Sequence, residues 1–245
     1  EILSGLVGSE MCIRDRRGLP RGGRRHAAHR VGSLTLDLEA FIRANLPLEP
    51  VPGVPEIRLH RAGPRSGLMR LAQVDPDFGS PYWARPWGGG LALARRVLDQ
   101  PDVVAGKRVL DLGAGSGLVA IAAMMAGAGQ VTAADVDPYA ITATRLNAEA
   151  NGVTVETLLG DLTVGDPPDV ELMLVGDLFY DPDLAARVLA FLERCSGAGI
   201  AVLIGDPWRA SLPADRLRVV AEYTVADFGD AEGALRSAAV FELVG

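Results

Sequence analysis

Lysine is almost missing from this chain of 245 residues: Lys107 stands alone against 23 arginines. Cysteine is nearly as scarce. Cys12 and Cys195 are too few for a disulfide framework, so a reducing, cytoplasmic setting is the expectation. No stretch approaches the roughly 20 consecutive apolar residues that a membrane helix needs. With only three histidines, no His/Cys/Asp grouping has metal-ligand spacing, and no metal is expected. Basic charge is also in deficit. The net charge of −7 divides into +4 over residues 1–31 and −11 over the remainder. An acidic body argues against nucleic acid as the main partner, because phosphate binding draws on Lys and Arg. It suits a basic protein surface or a cationic side chain.

The N-terminal segment reads differently from the rest. Ser4 to Arg16 looks like translated sequencing-adaptor sequence, and Arg17 to Arg30 is rich in Arg and Gly, with His26 and His29. It has no apolar h-region, so a secretory signal is not expected. We divide the chain into a disordered or non-native segment (1–31), an extension with a helix and a hairpin (32–80) and a main domain (81–245).

Patterning becomes regular from Leu34 on. An amphipathic helix through Leu38, Phe41, Ile42 and Leu46 should end at Pro47. Leu48 to Pro55, with three prolines, reads as a linker, and Glu56–His60 with Leu68–Ala72 as a small hairpin. Helical patterns follow at 89–98, 117–126, 138–151, 184–195 and 213–221. Strand patterns lie at 108–112, 130–134, 155–159, 171–175, 200–204, 223–228 and 238–244. Alternating strands and helices predict an α/β fold: a mostly parallel seven-stranded sheet, helices on both faces and an antiparallel hairpin at one edge.

Val109-Leu110-Asp111-Leu112-Gly113-Ala114-Gly115-Ser116-Gly117 runs from a buried strand into a glycine-rich turn. Such turns place backbone N–H groups at the ligand edge of a parallel sheet. The glycines fall as G-x-G-x-G. A dinucleotide fingerprint needs a third glycine where Leu118 stands, which disfavours a nicotinamide dehydrogenase. Each of the five core strands carries or is followed by an aspartate: Asp111, Asp135, Asp161, Asp177 and Asp206. Asp usually caps helices and starts turns, but five of five predicts an acidic rim at the ligand edge. Asp135, 18 residues beyond Gly117, is placed for a ribose diol, whereas Asp137 before Pro138 is placed to cap a helix. Asp161 and Leu162 are placed for an adenine ring, and Asp111 for an ammonium group.

The Asp111 to Gly117 spacing resembles motif I of class I S-adenosylmethionine (SAM)-dependent methyltransferases. Pro81-Tyr82-Trp83-Ala84-Arg85-Pro86-Trp87-Gly88-Gly89-Gly90, Gly176-Asp177-Leu178-Phe179-Tyr180-Asp181 and Ile204-Gly205-Asp206-Pro207 narrow this further. Together they resemble the seven-β-strand family that methylates lysine in the electron-transfer flavoprotein β-subunit, over roughly Leu34 to Val244. That resemblance implies a Rossmann-like fold, SAM as methyl donor and a protein substrate, acted on by a monomer. It assigns cofactor binding to Trp87, Asp111, Gly113, Ala114, Gly115, Ser116, Gly117, Asp135, Asp161, Leu162 and Asp177, and methyl transfer to Asp177 and Tyr180. Aromatic faces from Phe179, Tyr180 or Trp83 would hold methylated amines. Trp208 departs from the smaller residue the family usually has there. A ribosomal-protein or small-amine methyltransferase and a non-catalytic SAM-binding module stay open as alternatives.

Overall fold

Local signals start and stop the elements. The computed structural model describes residues 37–75, 78–226 and 234–244, the side chains of Ala72 and Val74 excepted. The predicted segment 1–31 lies outside them.

Helix α1 (Leu38–Asn45) begins at Asp37, whose carboxylate accepts the Ala40 N–H at 3.0 Å. Strands β1 (Leu48–Val51) and β2 (Val54–His60) pair antiparallel, Leu48 opposite His60. This corrects two expectations. The proline-rich "linker" is half of a hairpin, and the strand expected at Leu68–Ala72 is part of helix α2 (Leu68–Val74). Proline is tolerated because the sheet has only two strands and so every position is on an edge; the register slips just after Pro50.

Then come α3 (Gly88–Asp99), β3 (Arg108–Leu112), α4 (Leu118–Met125), β4 (Gln130–Asp135) and α5 (Pro138–Ala150). Asp137 caps α5 as expected, accepting the Tyr139 N–H at 2.8 Å, with Pro138 in the first turn. Next are β5 (Glu156–Leu159), β6 (Leu172–Gly176), α6 (Pro182–Gly197) and β7 (Ala201–Asp206). Asp181 caps α6 by accepting the Leu184 N–H at 2.9 Å. The last two strands are β8 (Leu217–Val225) and β9 (Arg236–Leu243). The helix expected at 213–221 is a short turn, Ala214–Arg216, leading into β8. Leu217, Val219, Ala221, Tyr223 and Val225 recur with period two, a strand signal that outweighs the helical reading.

The seven strands lie in the order β5-β4-β3-β6-β7-β9-β8. The five from β3 to β7 are parallel, and β9 runs antiparallel to both β7 and β8. The chain leaves β3 toward β4 and returns to its other side at β6, so a topological switch point flanks β3, where open α/β sheets bind ligands. Buried residues alternate across the sheet. Val109, Leu172 and Leu174 meet the α3 and α4 side, while Leu110, Met173 and Val175 meet α6.

α3 opens with Gly88-Gly89-Gly90, an unfavourable start for a helix. The reason is contact: a Cβ on Gly89 would collide with the Gly205 carbonyl and lie 2.6 Å from the Asp177 carboxylate. Bare backbone lets α3 press onto the ends of β6 and β7. The extension packs on the same body. Ile42, Leu46 and Leu71 share a buried cluster with Ala140, Ala143 and Leu146 of α5, and Ile57 and Leu59 join the core beside α3 and α4.

Candidate active site

At the end of β3 the chain makes three left-handed glycines, Gly113, Gly115 and Gly117, with φ of 71°, 54° and 80°. Only glycine takes these angles without strain. Space argues the same way: a Cβ would lie 2.6 Å from Leu178 at Gly113 and 2.8 Å from Thr144 at Gly117. The turn is pinned from beneath. Gly113 N and Ala114 N donate to the Ala134 carbonyl, and Gly115 N donates to Asp135 Oδ2 at 2.8 Å. Asp135 Oδ1 accepts the Asp137 N–H at 2.9 Å. Both carboxylate oxygens are thereby aimed, each with a lone pair left for a further donor. On the far side, Asn147 Nδ2 donates to the Ser116 carbonyl at 2.8 Å while its Oδ1 accepts the His60 N–H at 2.8 Å. A single buried amide thus ties the glycine turn to the hairpin.

Asp111 is buried within β3 and accepts the Ala120 N–H of α4 at 3.0 Å. Burial pushes its pKa up to about 7, against the pull of that hydrogen bond.

Beyond β6 the chain turns sharply at Asp177, a non-glycine residue held at φ 57°. Its N–H donates to the Gly205 carbonyl at 3.0 Å, and Oδ2 accepts the Gly90 N–H at 3.0 Å. Oδ1 accepts two bonds from Arg209, from Nε at 2.9 Å and from Nη2 at 2.5 Å. The Arg209 guanidinium also lies over the Trp87 ring, 5.7 Å from its centroid. Trp87 Nε1 donates to the Tyr82 carbonyl at 2.8 Å. The Tyr82 ring stands 5.6 Å from Trp87 and 5.7 Å from Tyr180. Asp206 closes the back: Oδ1 accepts the Arg209 N–H at 2.6 Å, and Oδ2 is buried with no hydrogen-bond partner among the described residues. Burial and then the Asp177 charge push its pKa up to about 6, against the pull of the Arg209 N–H.

A cleft with about 380 Å³ of empty space, partly open to solvent, gathers Trp87, Asp111, Gly113, Ala114, Gly115, Ser116 and Asp177. Gly117 sits below it as the start of α4, and Asp135 behind it under Gly115. Asp161 and Leu162 lie farther along the sheet edge, past β4. Asp161 accepts from Thr163 N at 2.9 Å and Thr163 Oγ1 at 2.6 Å, so it serves as a turn cap, while Leu162 packs against the α6 cluster. Tyr180 is half exposed beside Tyr82. The five aspartates do line one edge, in the spatial order Asp161, Asp135, Asp111, Asp177, Asp206. They do not form a uniformly charged rim. Burial holds Asp111 and Asp206 toward neutrality, and Asp177 and Asp161 carry the guanidiniums of Arg209 and Arg187.

Two expectations are corrected. Phe179 is fully buried against α6, and Trp83 is buried and stacked on Tyr139, 6.3 Å between centroids, so neither presents a face to an amine. The rings of Tyr82, Trp87 and Tyr180 are grouped there instead. Arg85, Arg209 and Asn147 were not foreseen. Arg85 is a wall of the cleft and, partly desolvated, has a lowered pKa. It is three residues from Gly88 in the quoted aromatic segment, and Arg209 follows Gly205-Asp206-Pro207-Trp208. A cation beside each motif was the available signal.

Comparison with known proteins places this geometry. The family profile described as ribosomal protein L11 methyltransferase (PrmA) matches residues 92–170, the glycine turn and the strands around it. The electron transfer flavoprotein beta subunit lysine methyltransferase of Rattus norvegicus is 41% identical over 204 residues, spanning 80% of each chain. That of Xenopus laevis is 40% identical over 194 residues, 77% of this chain and 79% of its own. The chain belongs to this family. A solved structure titled for the conversion of a disulfide bond into a thioacetal group during echinomycin biosynthesis has a TM-score of 0.50 at 18% identity. It covers 67% of this chain and 88% of its own, a likeness of fold. The chain is therefore a methyltransferase with the class I fold, and family and fold imply SAM as its methyl donor.

The cleft of the methyltransferase fits such a donor: a glycine backbone with no room for side chains, aimed carboxylate oxygens on Asp135, and a buried acid at Asp111. Trp208 stands on the loop after β7 in an uncommon backbone conformation. Its φ is 63°, unfavourable for a bulky residue, and its ring packs edge-on against Phe241 with centroids 4.9 Å apart.

Proposed function

We propose that the enzyme transfers methyl groups from SAM to lysine side chains of the electron-transfer flavoprotein β-subunit. The observation that carries this reading is the pairing of the glycine cradle with Asp177 and Trp87 in one cleft, with the Tyr82 ring against Trp87 and the Tyr180 ring against Tyr82. Bound SAM supplies an electrophilic methyl group on a sulfonium. Asp135 receives the ribose hydroxyls, and the Gly113–Ser116 backbone leaves room for the methionyl part. Asp111 receives its ammonium and is charged when it does so. Asp161 and Leu162, farther along the sheet edge at the end of β5, would hold the adenine in addition to their local turn and packing contacts.

Little acid–base catalysis is needed, because the leaving group is already activated; the protein's task is positioning and desolvation. The acceptor does need to be neutral. Free lysine has a pKa near about 10.4. Asp177 and the aromatic rings favour the ammonium, so the amine gives its proton to solvent at the open mouth before it attacks the methyl group. Asp177 orients the amine, and the same rings hold methylated products by cation–π contact. The acidic body of the chain suits a basic patch on a protein partner.

The test is mass spectrometry of purified β-subunit after incubation with the enzyme and SAM. Methylated lysine peptides are expected. An unmodified subunit, with SAM demonstrably bound to the enzyme, would sink the assignment. Label appearing instead in a ribosomal protein or a small amine would redirect it.

A further inference from the structure

We propose that Arg209 is a displaceable plug: in the protein without its substrate, its guanidinium holds the place between Asp177 and the Trp87 ring that the acceptor lysine takes. This rests on the functional reading above and adds to it a residue and a step in acceptor entry.

Four observations converge. First, the arginine duplicates what a substrate lysine would do, donating to Asp177 Oδ1 at 2.9 and 2.5 Å and lying 5.7 Å above the Trp87 centroid. A cation over an indole face and beside a carboxylate is the recognition expected for an ammonium. Second, Asp177 is anchored without it. The Gly90 N–H at 3.0 Å holds Oδ2, and its own N–H is fixed to Gly205, so the arginine is not needed to place the carboxylate. Third, the backbone of Arg209 is held apart from its side chain: its N–H donates to the Asp206 carboxylate at 2.6 Å. A swing of the side chain would leave that anchor in place. Fourth, Asp206 Oδ2 is buried with no hydrogen-bond partner among the described residues, so the carboxylate that holds the Arg209 backbone keeps an unused acceptor beside the plug.

A self-occupied site binds its ligand only from the fraction of molecules in which the occupant has left, so the apparent affinity for the acceptor is reduced by that fraction. A guanidinium is a suitable plug. It stays protonated at all physiological pH, so it cannot itself become a neutral nucleophile while it waits beside the methyl donor.

The decisive measurement follows Arg209 in the wild-type enzyme. The exchange rate of its Nε–H is read by NMR with S-adenosylhomocysteine alone and then with the flavoprotein β-subunit added. Protection lost only on adding the subunit is the expected result. Protection retained in the ternary complex overturns the proposal, because the ion pair would then be a permanent part of the site. Turnover of the subunit with SAM by the same preparation reports the functional reading separately, so transfer with Arg209 still protected defeats the plug alone. Steady-state kinetics give a second arm. R209M should lower the acceptor KM about tenfold without altering SAM affinity, and R209K, which restores a cation, should bring KM back toward the wild-type value. An R209M enzyme with an unchanged or higher KM and a lower kcat would show a positioning role instead.

Discussion

The two walls of the cleft are built on different principles. The donor wall, from Asp111 to Gly117 with Asp135 behind it, is almost wholly backbone. Its shape comes from left-handed glycines, and its polarity from N–H groups and two aspartates that fold back on their own neighbourhood. The acceptor wall is almost wholly side chain. Trp87, Tyr82, Asp177, Tyr180 and Arg209 reach it from segments more than a hundred residues apart in the extreme. A backbone site is rigid and tolerates few substitutions. A side-chain site can change partner by rotamer, at the expense of pre-organisation. One protein thereby keeps a constant donor and an adjustable acceptor.

Substitutions should separate the walls, and D135A should do so most severely. Removing that carboxylate orphans the Gly115 and Asp137 N–H groups as well as the ribose contact. SAM binding should weaken about 100-fold by titration calorimetry, with acceptor affinity preserved. A comparable loss of acceptor affinity would mean that the walls are coupled. D177N is the mirror test: kcat should fall about 30-fold, or about 2 kcal/mol of barrier, with the SAM dissociation constant within about threefold. A SAM defect as large as that in kcat would move Asp177 to the donor wall.

pH supplies a subtler contrast. Asp111 is held near about 7 in the fold, far above its unfolded value, so the folded form binds the extra proton. The stability it contributes is fully present below pH about 4 and is lost as pH rises through about 7. Asp206, held near about 6, acts in the same direction. The melting temperature of the free enzyme should decline across that window, and less so in D111N. SAM affinity should run the other way, tightening several-fold between about pH 6 and 8 as Asp111 ionises to meet an ammonium. A flat profile in the wild type would remove Asp111 from donor binding. Y180F should be mildest. With its ring at the exposed rim of the mouth, an acceptor KM within about threefold of wild type is expected. A far larger effect would give its hydroxyl a part in the chemistry.

How much of this was legible in the sequence follows the same division. The parallel strands and the glycine turn could be read to within a residue or two at their boundaries, because buried strands and left-handed turns impose composition locally. Asp137 announced its helix through the proline that follows it, whereas α6, expected from Leu184, starts two residues earlier at Pro182 behind the same Asp-Pro signal. Leu48 to Pro55 was misread because proline was weighed as a breaker, although a two-stranded hairpin has only edges. The segment from Leu217 was misread because its period-two pattern begins inside a stretch of residues that also suit a helix. On the acceptor wall, Asp177 could be found but not the Arg209 across from it. They are 32 residues apart, and only the adjacency of β6 and β7 brings them together. Burial likewise removed Phe179 and Trp83 from the mouth in favour of Tyr82, a choice that depends on which way each ring turns into the core.

The Asn147 amide has a consequence for anyone recombining this fold. It is one side chain shared by a hairpin strand and the Ser116 carbonyl. A chimera bearing another relative's first 60 residues would give it a foreign mate, and the graft could fold and melt normally yet grip its methyl donor loosely. A hairpin that lines no part of the cleft would then set how long the donor stays.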